Sequence, residues 1–265
     1  MALADALAQV VLTRPAGRNE SLALALRQAG LSVLVAPALK IDWLDTPRPV
    51  PRAGDLHIFV SGQAVAAFFS GLTFPWPTGA WACAVGQATA QALQDYVPAD
   101  CILAPAADAA PDSESLLAII MALDLQPAQA HILRAGEGRD WLAAQLRQLG
   151  WQVHCHALYA RHPCVWDEAT CRQLCADDGL RILLLTSLDA LAAIDASLRQ
   201  HRLRWPSCLQ AVTLHARIAR RLQYLYADQP DHALRIALSP PQETALFQAI
   251  VAASRQPSRR IRTPS

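Results

Sequence analysis

The chain carries an internal repeat, and the repeat limits its fold more than any other feature. Residues 8–33 laid on residues 128–153 at a constant offset of 120 agree at ten of 26 positions. The identities are Ala8/Ala128, Gln9/Gln129, Arg14/Arg134, Leu22/Leu142, Ala23/Ala143, Leu26/Leu146, Arg27/Arg147, Gln28/Gln148, Gly30/Gly150 and Val33/Val153. Leucines at i,i+4 and a glycine stop belong to any amphipathic helix, so the weight of the repeat rests on the arginines. Arg14 and Arg134 each follow an apolar run and precede a turn of small residues, Pro15-Ala16-Gly17 and Ala135-Gly136-Glu137-Gly138. Fainter echoes pair 58–65 with 184–191 at an offset of 126, and Ala84-Val85 with Ala211-Val212 at 127. A chain that repeats a strand, turn and helix in this way builds two similar α/β units.

Short apolar runs alternate with amphipathic stretches along almost the whole length. The pattern predicts strands at 9–13, 31–37, 56–60, 82–85, 101–104, 130–134, 151–162, 181–185, 209–212 and 234–237. Between them it predicts helices at 18–29, from 62, from 87, and at 112–123, 138–149, 167–175, 187–198, 215–226 and 241–254. Parallel neighbours need a long crossover, so strands that alternate with helices read as parallel sheets. This patterning alone also allows two consecutive domains.

Composition removes several classes of function. With 53% apolar and 17% charged residues in 265, the chain has a core to bury and none of the bias of disordered sequences. The 23 Lys and Arg against 22 Asp and Glu leave a formal charge of +1, so no bulk field recruits nucleic acid. Lys40 is the only lysine, which excludes a phosphate loop of the Gly-Lys-Ser/Thr type. The seven cysteines include no Cys-x-x-Cys pair and fit a reducing compartment. Cys171 and Cys175 at i,i+4, with His154, His156 and His162 the nearest further ligands, read as ordinary helix residues rather than a metal site. The start of the chain lacks a basic leader, and no apolar run reaches the ~18 residues a bilayer span needs. The expectation is a soluble cytoplasmic protein without a membrane partner. Residues 255–265 hold four Arg and two Pro, and are expected to form a disordered basic tail.

The chemistry-bearing residues fall where strands end. Ser61, the Thr186-Ser187 pair, Gly86-Gln87-Ala88-Thr89 and Thr213-Leu214-His215 all stand at predicted helix starts. There, unpaired N–H groups and the helix dipole favour an anion. Singly, each Ser or Thr reads as an N-cap; together, four such places in two related units suggest a ligand with many carboxylates. No Gly-x-Ser-x-Gly elbow and no complete Gly-x-Gly-x-x-Gly fingerprint occurs. On pattern alone Tyr159 reads as a buried aromatic with a satisfied hydroxyl.

Several segments, taken in order, resemble uroporphyrinogen-III synthases from about residue 9 to 254. They are Val11-Leu12-Thr13-Arg14-Pro15-Ala16-Gly17, Phe59-Val60-Ser61-x-x-Ala64-Val65, Ala84-Val85-Gly86-x-x-Thr89-Ala90, Asp112-Ser113-Glu114-x-Leu116-Leu117, Ile132-Leu133-Arg134-x-Gly136-x-Gly138-Arg139-x-x-Leu142, the Tyr159 strand and Leu185-Thr186-Ser187. The resemblance implies an α/β fold of two flavodoxin-like parallel-sheet domains around a cleft, joined by a two-stranded connector. Residues 1–39 with 163–254 would form one domain and 40–162 the other, with the runs 31–39 and 151–159 as connecting strands. The implied activity converts hydroxymethylbilane into uroporphyrinogen III, with inversion of ring D through a spiro intermediate and loss of water. It implies no cofactor and no metal. Tyr159 would be the catalytic acid, and Arg14, Ser61, Gly86, Thr89, Arg134, Arg139, Thr186, Ser187, His215 and Arg217 would bind substrate. The segment from Thr213 departs from the Gly86-x-x-Thr89 pattern, which leaves His215 and Arg217 to act through their side chains. Implied partners are hydroxymethylbilane and a transient handover from hydroxymethylbilane synthase, with the chain a monomer. A two-lobed solute or tetrapyrrole binder without catalysis is the alternative.

Overall fold

The computed structural model describes residues 8–72, 74–106, 108–110, 112–136, 138, 140–176, 179–227 and 233–255. In chain order the strands are β1 (Gln9–Leu12), β2 (Ser32–Val35), β3 (Leu39–Trp43), β4 (Leu56–Phe59), β5 (Trp81–Ala84), β6 (Ile102–Leu103), β7 (Gln129–Ala135), β8 (Gln152–Pro163), β9 (Arg181–Leu185), β10 (Cys208–Thr213) and β11 (Ala233–Leu238). The α-helices are α1 (Glu20–Gln28), α2 (Gly62–Phe69), α3 (Gln87–Leu93), α4 (Ser113–Ala122), α5 (Trp141–Gln148), α6 (Glu168–Cys175), α7 (Leu188–Gln200), α8 (Ala216–Tyr226) and α9 (Glu243–Ser254). The chain divides into two compact units, residues 1–41 with 162–265, and residues 42–161.

The sheet of the first unit has the order β11-β10-β9-β1-β2, with every pair parallel. Its central strand β9 is buried at all five positions, the continuous apolar run expected of a strand covered on both faces. On one face Val11, Leu183 and Leu185 pack with Leu174 of α6, Ile194 of α7 and Leu222 of α8. On the other, Val10, Leu12, Ile182 and Leu184 meet Leu22 and Leu26 of α1 and Leu246 and Ile250 of α9. In α8 the inward stripe is Ile218, Leu222 and Tyr226, four residues apart, while Arg217, Arg220 and Arg221 are exposed.

The second unit has the order β3-β8-β7-β4-β5-β6. Leu56, Ile58, Cys83 and Ile132 face α4 and α5 through Leu116, Ile120, Leu142 and Leu146. Phe59 on the opposite face meets α2, edge-on to Phe68 at 5.4 Å and stacked on Phe69 at 6.0 Å. The two sheets carry the same spatial pattern with the chain opened at a different place. Strand β7 stands where β1 stands, β8 where β2 does, and β4, β5 and β6 correspond to β9, β10 and β11. That permutation is why the 120-residue offset joins β1 to β7 whereas the 126-residue offset joins β4 to β9.

One strand lies outside the expected set. The run 31–39 is expected to connect the units; instead β2 pairs with β1, and the separate strand β3 lies beside β8. The bonds Leu44 N–H to Leu158 and Cys164 N–H to Ala38 run in opposite chain order, as in antiparallel pairing. The alternation Leu39-Lys40-Ile41-Asp42-Trp43 is the period-2 signal that marks it. Residues 256–265, the expected basic tail, lie outside the described residues.

Phe68 is wholly buried and touches Phe59, Phe69 and His57. Phe68→Ala is expected to lower stability by about 3–5 kcal/mol, read from urea unfolding. A loss below about 1 kcal/mol would contradict this packing.

Candidate functional site

In an open parallel sheet, ligands bind beyond the carboxyl ends of the strands, where the strand order reverses. The first unit reverses between β1 and β9, the second between β7 and β4. Arg14 follows β1 and Arg134 lies near the end of β7; Thr186-Ser187 follows β9 and Ser61 follows β4. The repeat therefore delivers one arginine and one serine to the reversal point of each unit.

In the second unit the structure brings Ser61 and Tyr159 together. The two hydroxyls are 2.9 Å apart. Ser61 has extended backbone and caps α2, its Oγ accepting from the Ala64 N–H at 3.2 Å. That bond occupies one lone pair and leaves the Ser61 proton and its other lone pair for Tyr159 or a ligand. Ser61 is half-buried, whereas Tyr159 is 1% exposed, so the serine is the outward end of the pair.

Tyr159 reaches this place through a β-bulge. Strand β8 pairs with β7 at Arg134↔Ala157 and then at Ala135↔Tyr159, so Leu158 is an extra residue. Regular alternation would put Tyr159 on the face opposite His154 and His156; the bulge re-aims it onto their face, toward α2. The Gly136 N–H to Tyr159 carbonyl bond of 3.0 Å fixes the strand there. Arg161, which the sequence reading did not single out, sets its guanidinium carbon 5.8 Å from the Tyr159 ring centroid, within cation–π range. Arg134 is mostly buried and pairs with Asp140 at 2.9 Å. Gly86 starts α3 with extended backbone, and Thr89 is buried in that helix. Arg139 lies outside the described residues.

In the first unit Arg14 is 13% exposed, with Glu243 as its ion-pair partner at 3.9 Å. Its Nε and Nη2 are buried without a hydrogen bond. Burial lowers the affinity of Arg14 for its proton, and the charge of Glu243 opposes that shift. A guanidinium stays protonated in proteins, so these buried donors keep hydrogen-bonding capacity that Glu243 at 3.9 Å does not take up. Asn19, also missed, is buried beneath it and donates from Nδ2 to the Arg14 carbonyl at 2.7 Å. Ser187 caps α7, accepting from the Ala190 N–H at 3.1 Å.

His215 serves as the N-cap of α8: its Nδ1 accepts from the Arg217 N–H at 3.0 Å, so in the neutral ring Nε2 carries the proton. Histidine is an uncommon cap, and nothing in the sequence signals it. Arg217 is exposed and lines a cavity of about 460 Å³ between α7 and α8, with Leu188, Asp189 and Arg221. Among the described residues, no cluster of three or more His, Cys, Asp or Glu could hold a metal ion. No helix there is long and apolar enough to cross a membrane.

Fold and site together define a two-unit, doubly wound α/β protein that offers hydroxyls, helix starts and arginines at two sheet reversals. The chain is similar in fold to a mutant uroporphyrinogen III synthase of Thermus thermophilus, at 16% identity and a TM-score of 0.54 over 93% of this chain and 98% of that one. It is equally similar to the uroporphyrinogen-III synthetase of Helicobacter pylori, at 18% identity and a TM-score of 0.54 over 93% of this chain and all of that one. Residues 20–229 match the sequence family described as uroporphyrinogen-III synthase HemD, and the chain belongs to that family. It is thereby a cyclising lyase of tetrapyrrole (haem) biosynthesis, with hydroxymethylbilane as the family's substrate.

If Ser61 and Tyr159 act as one unit, their substitutions will not add. Ser61→Ala and Tyr159→Phe are each expected to lower kcat by about 10²-fold, and the double variant to lie within about threefold of either single. Multiplied losses in steady-state kinetics would show two independent contributions.

Proposed function

We propose that the Ser61–Tyr159 pair supplies the proton with which the substrate's hydroxymethyl oxygen leaves as water, and that the arginines and helix starts hold the carboxylates of the bilane. The observation that carries this reading is the 2.9 Å bond between the two hydroxyls at the sheet reversal. Ser61, the outward member, touches the departing oxygen and Tyr159 stands behind it as the acid. A phenol is a weaker acid than a carboxyl group or an imidazolium, so most of the rate comes from holding the chain ends in place. Cleavage of the C–O bond leaves an electrophilic methylene carbon, which ring D attacks through its substituted position. The spiro centre then gives up its original bond to the methylene carried by ring C, which is left electrophilic; ring D closes on that methylene through its unsubstituted α-carbon, and loss of the proton from that carbon restores the pyrrole.

Selectivity is the harder part of this task, because the free bilane closes head to tail without help. Only contacts that favour the folded, spiro-forming geometry over the direct one raise the yield of the inverted isomer. Arg14, with its unmade hydrogen bonds, is suited to a carboxylate. Arg134, Arg139, Thr186, Ser187, Gly86, Thr89, His215 and Arg217 complete the proposed contact set. In this reading residues 1–39 with 163–254 and residues 40–162 are the two domains. The seven free cysteines support a reducing compartment, and we place the enzyme in the cytoplasm as a monomer that takes its unstable substrate by transient handover from hydroxymethylbilane synthase.

The test supplies hydroxymethylbilane freshly made by a coupled porphobilinogen deaminase and separates the oxidised uroporphyrin isomers by chromatography. Isomer III is expected to predominate. Isomer I alone, from protein shown to be folded, would overturn the proposal and leave a two-lobed binder.

A further inference from the structure

Four histidines stand side by side on one face of the second sheet, His57 buried beneath α2 and His154 exposed. His57 on β4 is in register with His131 on β7, and His131 with His154 on β8; His156 is two pairs further along, opposite Leu133. The ring centroids of His57 and His131 are 4.8 Å apart, those of His131 and His156 5.2 Å, and those of His131 and His154 5.5 Å. His131 Nδ1 and His156 Nε2 are 3.1 Å apart and share a hydrogen bond, which requires a proton on one nitrogen and a lone pair on the other. His57 is wholly buried, edge-on to Phe68 at 6.0 Å and Trp76 at 5.5 Å. The Pro49 carbonyl faces it, yet neither ring nitrogen completes a hydrogen bond. The row lies just below the hydroxyl pair: His57 is four residues before Ser61, His131 three before Arg134, and His156 three before Tyr159.

We propose that His57, His131 and His156 form a proton-sensitive brace: neutral and packed, they hold β4, β7 and β8 beneath the Ser61–Tyr159 pair, and proton uptake loosens this face and the pair with it. Doubly protonated, His131 and His156 lose their shared bond and repel across 3.1 Å. Of the surrounding elements, α2 and the stretch 70–79 carry no charged side chain, and β5 turns Ala82 and Ala84 to this face. Buried Asp55 is the carboxylate that favours a proton on His131. Asp45, Arg48 and Arg52 lie on the segment between β3 and β4, and Tyr96, stacked on Phe69, Tyr159 and the Arg161 guanidinium over its ring are further ionisable groups nearby. One carboxylate does not offset several adjacent cations.

Burial, then the neighbouring imidazoles, hold His57 down at about 3 and His131 at about 4, and lower His156 in the same way. An unfolded imidazole takes its proton near 6.5. Between pH 6.5 and about 4 the opened chain therefore binds protons that the packed face does not, so stability falls as the pH falls through that window. The effect on activity rests on the reading of Ser61 and Tyr159 given above; the effect on structure does not.

The experiment follows the histidine ring signals and amide exchange of the full chain by NMR from pH 7.5 to 5. His57 and His131 are expected to stay neutral at pH 5, while the protection factors of Ile58, Leu133 and Ala157 drop at least tenfold between pH 7 and 5. Formation of isomer III needs the packed state and is expected to hold while these rings stay neutral, falling only at lower pH where the opened state fills. The doubly substituted His131→Gln, His156→Gln protein, which keeps a hydrogen-bonding pair that does not titrate, should lose at least tenfold less protection than wild type over the same range, His57 accounting for the loss that remains; His201→Gln in the first unit should behave as wild type. His57 and His131 titrating near 6.5, or unchanged protection in wild type, would overturn the brace, whether or not the double variant folds. Absence of isomer III at every pH would count against the functional reading alone, since the ring titration and exchange decide the brace without turnover.

Discussion

A parallel strand cannot turn back on itself; it needs a crossover, and the crossover helix must cover the sheet. Both sheets of this chain obey that constraint, and the site follows from it. Every strand that feeds a helix delivers its last residue, and the first turn of that helix, to the same edge of the sheet. Where the strand order reverses, the helices on either side diverge and leave that edge open. The first unit reverses at β1/β9 and the second at β7/β4, and the arginines and serines of the internal repeat stand at those two places.

Within the second unit one residue decides the geometry. Leu158 is the extra residue of the β8 bulge; were it paired regularly with Ala135, the Tyr159 side chain would point at α4 and α5 instead of Ser61. The same face carries His57, His131 and His156, so the strands that hold the hydroxyl pair are also the strands that hold the imidazoles. Chemistry and stability share three strands here, which is why a proton on the histidines reaches the pair.

The alternation of strands and helices was legible because buried parallel strands are short and apolar and their helices amphipathic; β9 and α8 show it most plainly. The Arg14/Arg134 correspondence was legible for a similar reason, since a repeated fold repeats its loops. The faces were not. Parity counted from His154 and His156 puts Tyr159 on the wrong side, because a bulge leaves no compositional mark. The His57 burial is hidden in the run Leu56-His57-Ile58-Phe59, where all four residues are buried and no alternation separates the faces. His215 was legible as a helix start; that its own ring nitrogen makes the cap was not, because that role is set by backbone geometry rather than residue preference. The β3 strand was written in its period-2 pattern but sits beside the proline-rich stretch 47–51, which reads as loop.

The mechanism turns on Tyr159 being the tyrosine that senses the tetrapyrrole, through Ser61. The chain has four tyrosines, so labelling their Cζ carbons with ¹³C gives four signals, assigned by single Tyr→Phe substitutions. Titration with uroporphyrinogen III under anaerobic conditions should shift the Tyr159 signal, and Ser61→Ala should diminish that shift. A Tyr159 signal that stays fixed while the product binds would contradict that role.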